Sequence, residues 1–392
     1  MNLLRKRFIS AVCVCAAVAA AAAAAQGNFG QNGERSVMDD ETAEREAYRR
    51  AKTDLVFWYQ DAAYADFFEL AAERYYEKTG IKVAVSYRQT LNYIGDIYDE
   101  TMRGEAAPDV YLISGDNLEE AYIYGLAAVN ERKDSYGDAA DNAVAASCCQ
   151  GKMFGYPLSY NTCVLIYQNG YFDAAPDSLQ AIIDYSDENE PEEHVEYLLE
   201  WNVNDAFYDF PFISNSVTFV QEEAGSVDVV YDEELYQSDL AYFEEILTSF
   251  SIDADAVSEE SIIENFLAGR TLCAIIDTNS LAELGDYSYS LMELPALNEE
   301  LPSSACGLTD MLVVNDFSES ADEASDFAEF VTTELSGELH GASGRYSVFL
   351  PDAADEVEKI AYQAYESSVP APNSQDARDF WVNLKETIAE YF

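Results

Sequence analysis

Positive charge is the scarcest property of this sequence. Lys and Arg number 21 against 74 Asp and Glu, a formal net charge of −53. A nucleic-acid binder neutralises phosphates with a basic stripe, and none is present. A polybasic patch for anionic membrane surfaces is excluded on the same ground. Histidine occurs only at His194 and His340, too little for a His-based metal site or catalytic triad, and both are read as surface residues. No Cys-x-x-Cys pair occurs, so zinc and thioredoxin-type chemistry lack their usual spacing. Beyond residue 25 the cysteines are Cys148, Cys149, Cys163, Cys273 and Cys306. An oxidising compartment would permit disulfides, but an odd number at irregular spacings specifies no framework. Gly (19) and Pro (10) are too few for a collagen-like or low-complexity chain. No Gly-rich phosphate loop, nucleophile motif or metal motif appears, so neither a cofactor nor a metal is expected. The acidic stretch Asp184 to Glu193 lacks the Asp-x-Asp-x-Asp-Gly order of a calcium loop and reads as a solvated loop.

What the sequence does contain is apolar and aromatic material. Hydrophobic residues make up 49%, with 28 Tyr and 20 Phe, ample for a large core. The 392 residues fit two or three domains at roughly 150 residues each. The excess acid reads as a solvated, self-repelling surface; it is equally compatible with high salt or with cationic ligands. At the N-terminus Arg5, Lys6 and Arg7 precede the uncharged run Phe8 to Ala25, which ends Ala23-Ala24-Ala25 before Gln26. This is a secretory signal with a small-residue cleavage site. The run is also long enough for an uncleaved anchor, and lipidation at Cys13 or Cys15 is a third form of export, although neither cysteine follows a Leu-Ala-Gly-type sequence. Residues 26–53 are polar and read as a tether.

From Asp54 the pattern becomes that of a folded α/β chain. Leu55 to Tyr59 is an apolar run of strand length. Tyr64, Phe67, Phe68, Ala71 and Tyr75 recur at helical spacing, and Gly80 closes that helix. Ile81, Val83 and Val85 alternate as a strand, and Val110 to Ile113 forms another. Leu118 to Tyr124 is a short helix ended by Gly125. Further strands are expected at Cys163–Tyr167, Thr271–Ile276 and Met311–Val314. Further helices are expected at Glu233–Leu247, after Ser258, at Ala321–Thr333 and at Asp376–Tyr391. This alternation predicts a parallel sheet covered on both faces.

Several segments, in order, resemble the extracellular solute-binding proteins of ABC importers, the maltose-binding-protein-like group. They are Asp54 to Val85 with Lys78-Thr79-Gly80-Ile81-Lys82-Val83, Ala107-Pro108-Asp109-Val110, and Gly125-Leu126-Ala127-Ala128-Val129. Gly151-Lys152-Met153-Phe154-Gly155-Tyr156-Pro157, Phe266-Leu267-Ala268-Gly269-Arg270 and Leu294-Pro295-Ala296-Leu297 follow. The resemblance implies a two-lobed periplasmic-binding-protein-like α/β fold with discontinuous lobes and a hinge. One lobe would be 54–159 plus 292–340, the other 160–291 plus 341–392. It implies a non-enzymatic monomer that captures a small ligand, a carbohydrate, in an interlobe cleft and delivers it to the membrane subunits of an ABC importer. Two other readings stand beside it. One is a carrier of a cationic ligand such as a polyamine, held by acids and aromatic faces. The other is a secreted glycoside hydrolase, for which no motif singles out a carboxylate pair.

Sugars are held by aromatic faces and by planar carboxylates and amides. The turn after the first strand offers Trp58, Gln60 and Asp61, with Trp58 equally readable as a core residue. Asp116 matches a position that binds ligand hydroxyls in the family, or caps the helix from Leu118. Asn161 stands where maltose-type members carry a ligand-binding Glu. Asp205 to Pro211 resembles the aromatic stretch facing the cleft, with Phe207 and Tyr208 as stacking platforms or core. Asp277 follows a strand at a position that is often polar in the family. The stacking Trp of the family would fall near Ser280 and is missing. Trp381 matches the Trp of a cleft-lining Phe-Trp pair. At the N-terminus, sequencing of the exported protein is expected to start near Gln26, or to find the chain anchored through residues 8–25. Full-length protein soluble in the cytoplasm would overturn both forms.

Overall fold

In a computed structural model, residues 53–104, 107–189, 192–221, 227–255, 257–372 and 375–391 are described. The expected signal segment and the tether up to residue 52 lie outside them. The opening apolar run is strand β1 (Leu55–Tyr59). Helix α1 (Ala65–Thr79) buries Phe67, Phe68, Ala71, Ala72 and Tyr75 along one side. It stops where Gly80 turns left-handed at φ 76°, a conformation glycine enters without steric cost. Then come β2 (Val83–Tyr87), α2 (Tyr93–Arg103), β3 (Val110–Ser114) and α3 (Leu118–Ile123). Both β2 and β3 pair parallel with β1.

The middle of the chain holds β4 (Gly155–Gln168), α4 (Leu179–Glu188), β5 (Tyr197–Glu200) and α5 (Ala206–Ile213). It continues with the hairpin β6 (Val217–Gln221) and β7 (Val227–Tyr231), α6 (Glu233–Phe250), α7 (Glu259–Leu267) and β8 (Thr271–Asp277). The last elements are β9 (Tyr289–Glu293), β10 (Cys306–Val314), α8 (Ala321–Glu329), α9 (Glu356–Glu366) and α10 (Gln375–Ala389). The hydrogen-bonded path runs β2–β1–β3–β10–β4–β8–β5, with β9 also on β4. The expectation of a purely parallel sheet is corrected, because β10 runs antiparallel to both β3 and β4, and β4 antiparallel to β8 and β9. The acidic stretch is corrected as well. Ser178 caps α4 by accepting from the Ala181 N–H, and Leu179 and Ile182 bury one side, so Asp184 to Glu188 is helical.

Strand β4 organises the two lobes. Its first half, Gly155 to Thr162, pairs with β10, and its second half, Cys163 to Gln168, pairs with β8 and β9. On one face Tyr156, Leu158, Tyr160, Val164 and Ile166 join a single core with α1 and α8. On the other face Cys163 and Leu165 join the core built around Trp201, Phe210 and Phe243. Ser159 and Asn161, on that same face, belong to neither. The β10 ladder shifts register between Asp310 and Met311, so Asp310 lies opposite Ser159 and Leu308 opposite Asn161. Leu165 is fully buried. Leu165→Ala is expected to cost about 2–5 kcal/mol in a urea melt; a cost under about 1 kcal/mol would mean that β4 is not a core strand of the Trp201 side.

Candidate functional site

The C-terminal ends of the parallel strands β1, β2 and β3 meet at one edge, where turns expose backbone and polar groups. After β1 come Gln60 and Asp61, after β2 Thr90 and Asn92, and after β3 Asp116 and Asn117. A cavity of about 490 Å³ opens here, within the range of small-ligand sites. Gln60, Asp61, Thr90, Asn92, Tyr93, Ser114, Asn117, Glu120 and Asp310 supply its polar lining. The loops brace one another. Gln60 Nε2 donates to the Thr90 carbonyl (2.8 Å), and Thr90 Oγ1 donates to Asp96 (2.6 Å). Asp61 accepts from the Ala63 N–H (2.9 Å), capping the turn Ala62–Tyr64, and its other oxygen accepts from Arg345 (2.7 Å). Asn117 stands at the N-cap of α3 but makes no side-chain cap bond; its amide donates to Asp116 (2.8 Å).

Asp310 comes from β10. The Tyr64 hydroxyl donates to it at 2.6 Å and, having one proton, accepts from Ser159 at 2.5 Å. Burial holds the Asp310 carboxyl up at about 6; Asp61 and Asp116 push the same way, while Tyr64 and Arg345 oppose. Burial likewise raises the Tyr64 hydroxyl well above its ordinary value.

A second polar group lies where β4 passes to β8. Asn161 Nδ2 donates to Asp277 Oδ2 (2.7 Å), and Asn161 Oδ1 accepts from Thr278 Oγ1 (3.0 Å). Asp277 Oδ1 accepts from the Ser280 N–H (2.8 Å) and Oγ (2.5 Å). Ser280 Oγ also reaches Glu259, whose carboxyl is raised by burial.

The family model for bacterial extracellular solute-binding proteins matches residues 70–367, well over half of the chain. The chain belongs to this family. No curated protein matches the sequence. Among solved structures, one similar fold is the extracellular solute-binding protein from Staphylococcus aureus in complex with maltose. It is 16% identical, with 87% of this chain and 93% of that one covered and a TM-score of 0.73. A cyclo/maltodextrin-binding protein complexed with maltotetraose is 17% identical over 87% and 92%, TM-score 0.75. The Thermus thermophilus maltotriose binding protein bound with maltotriose is 16% identical over 86% and 94%, TM-score 0.70. At such identities the likeness establishes the two-lobed α/β fold.

Of the nine residues expected at the site of this solute-binding protein, Gln60 and Asp61 line the cavity, and Asp116 adjoins it through Asn117. Trp58 is corrected to a core position. It is 4% exposed, and the Arg88 guanidinium lies over its ring at 3.9 Å, so its face is covered. Tyr208, also 4% exposed, is core too. Phe207 and Trp381 are partly exposed at the edge of the second core, with Trp381 edge-on to Phe210 and Phe380. Asn161 and Asp277 are engaged with each other and with the turn after β8 rather than with the cavity. His340, expected at the surface, is half-buried and stacked on Tyr346, while His194 is exposed beside Glu192. Cys149, Cys163, Cys273 and Cys306 are free thiols.

Sequence reading missed Tyr93, Glu120, Asp310 and Arg345. Asp310 had a signal, a charge set directly before the apolar run Met311 to Val314, which a strand interior disfavours. The folded chain holds the Asp310 proton more tightly than the unfolded chain, so between about pH 4 and 6 the folded state binds more protons and loses stability as pH rises. In Asp310→Asn this contribution is absent. Compared with wild type, the variant is expected to gain stability between about pH 4 and pH 7 in paired urea melts. Parallel pH profiles would refute the assignment.

Proposed function

We propose that this chain captures a carbohydrate at the β1–β2–β3 edge and delivers it to the membrane subunits of an ABC importer, acting as an exported monomer with no catalytic step. The observation that carries the reading is the cavity itself. Amides, hydroxyls and carboxylates converge there, the combination that both donates to and accepts from sugar hydroxyls. The solved neighbours, which hold maltose, maltotetraose and maltotriose, support it. In this reading the lobes are 54–159 with 292–340 and 160–291 with 341–392, and β4 is the principal crossing. Hinge closure then carries the partly exposed rings of Phe207 and Trp381 toward the sugar. Export runs through the N-terminal signal, cleaved near Gln26 or kept as an anchor.

A ligand that binds only the folded state raises its apparent stability. A thermal-shift screen of maltodextrins and of neutral and charged mono- and oligosaccharides is therefore expected to give at least one stabilising sugar. With that sugar, Asp116→Ala and Glu120→Ala should each weaken binding by about tenfold to a hundredfold, the value of a hydrogen bond to a charged group, with little change in melting temperature. If no saccharide binds, the reading fails.

A further inference from the structure

The end of β2 carries an arginine that the protein leaves unpaired. In the parallel register Trp58 lies opposite Ser86, and alternation along β2 puts Arg88 on the same face. The Arg88 N–H donates to the Tyr59 carbonyl at 2.8 Å, which carries the ladder one residue past the strand. Its half-buried guanidinium then lies over the Trp58 ring, 3.9 Å from the centroid. Among the described residues no hydrogen bond or ion pair holds that guanidinium, and its Nε is buried without a partner. The other arginines differ. Arg74, Arg103, Arg132 and Arg345 pair with carboxylates, and Arg270 is held by Asn265. A chain with 74 acids does not lack candidates for Arg88. A second cavity, of about 520 Å³, opens at Arg88, and Asp96, Asp99 and Glu100 line it as well. Asp99 and Glu100 are taken by Arg103, and Asp96 accepts from Thr90. On the core side the Tyr93 hydroxyl is raised well above its ordinary value by burial, with the Arg88 charge opposing. Tyr93 therefore stays neutral and gives Arg88 no negative partner.

We propose that the carbohydrate is acidic, a uronic-acid saccharide whose carboxylate is bound by Arg88 in this second cavity. The proposal rests on the carbohydrate reading and deepens it. Thr90 lines both this cavity and the first, so an oligosaccharide that passes Thr90 presents hydroxyls to Gln60 and Asn92 and a carboxylate to Arg88. A guanidinium stacked by its face keeps its in-plane N–H groups for an acceptor, and their fork matches a planar carboxylate. Trp58 is itself fixed in the core at 4% exposure, so the stack holds the charge in place. One arginine suits a singly charged group. A phosphate ester carries a second charge, which the acids around the cavity repel. The net charge of −53 also repels anions, but salt screens it beyond about 8 Å, and the short-range pair with Arg88 then sets selectivity.

The test is calorimetry on the exported chain with matched probes: glucuronate and galacturonate, the α1,4-linked dimer and trimer of galacturonate, the neutral methyl ester of each, glucose 6-phosphate, and maltotriose. In at least one matched pair the acid is expected to bind about tenfold more tightly than its ester. Arg88→Gln should abolish that difference and Arg88→Lys should keep part of it, while affinity for the ester changes little. Melting curves check each variant, and the comparison of acid with ester on the unaltered chain needs no variant. Esters that bind as tightly as their acids in every pair, or maltotriose binding alone, overturn the acidic assignment and leave the carbohydrate reading standing. An acid preference that survives in folded Arg88→Gln overturns the role of Arg88. Glucose 6-phosphate binding more tightly than every uronate overturns the carboxylate. If no saccharide binds, both proposals fall.

Discussion

A single strand that must serve two sheets is the constraint on which the rest of this structure depends. One face of β4 carries Tyr156, Leu158, Tyr160, Val164 and Ile166, interrupted only by Thr162, and stays within one core. The other face leaves one set of neighbours before it reaches the next, and the residues in the gap are Ser159 and Asn161. Polar side chains there are tolerated only if hydrogen-bonded, because an unsatisfied buried group loses its full hydration energy. Each is satisfied by a partner distant in sequence. Tyr64 serves Ser159, and Asp277 and Thr278 serve Asn161. Thr162, the next residue, donates to the Cys306 carbonyl at the start of β10. The polar interruption of β4 is thus the point where the loops of both sheets are tied down.

That arrangement also builds the candidate site. Tyr64 can bond Ser159 only because the turn after β1 places its ring beneath β4, and the same hydroxyl then meets Asp310. The turn is held by Asp61, and Asp61 in turn by Arg345. Three segments far apart in sequence therefore share one network, with the cavity on its open side. Networks of this kind strengthen their members mutually and fix side-chain positions, so the cavity floor is set by the strand crossing rather than by mobile loops.

How much of this was legible follows from the range of each interaction. The limits of β1, the end of α1 at Gly80 and the cap of α7 at Ser258 rest on local rules of periodicity and capping, and they appear where those rules place them. Gln60 and Asp61 were legible for a similar reason, since the residues after a parallel strand face the ligand edge. The full length of β4 was hidden by Pro157, which reads as a turn, and α5 by a sequence apolar on every side except at Asp209, so that it shows no period. Trp58 could not be assigned from its neighbours, because the group covering it, Arg88, comes from beyond the next strand. Asn161 and Asp277, and Asp61 and Arg345, are long-range pairs, and no local pattern joins them.

Two buried acids show why burial alone does not mark the site. Asp209 lies inside α5, 1% exposed, with its carboxyl raised well above the ordinary value by burial. It accepts a hydrogen bond from the Trp201 indole (3.0 Å) within the second core. Its perturbation is local, and its partner is built in. Asp310 is perturbed for the same reason, yet one oxygen lies beyond the Tyr64 bond and the residue opens onto the cavity. Perturbed carboxylates gather at functional sites because a ligand can supply the compensation that the fold withholds. Open space beside the group separates Asp310 from Asp209, and it favours the strand ends over the aromatic core as the proposed binding site.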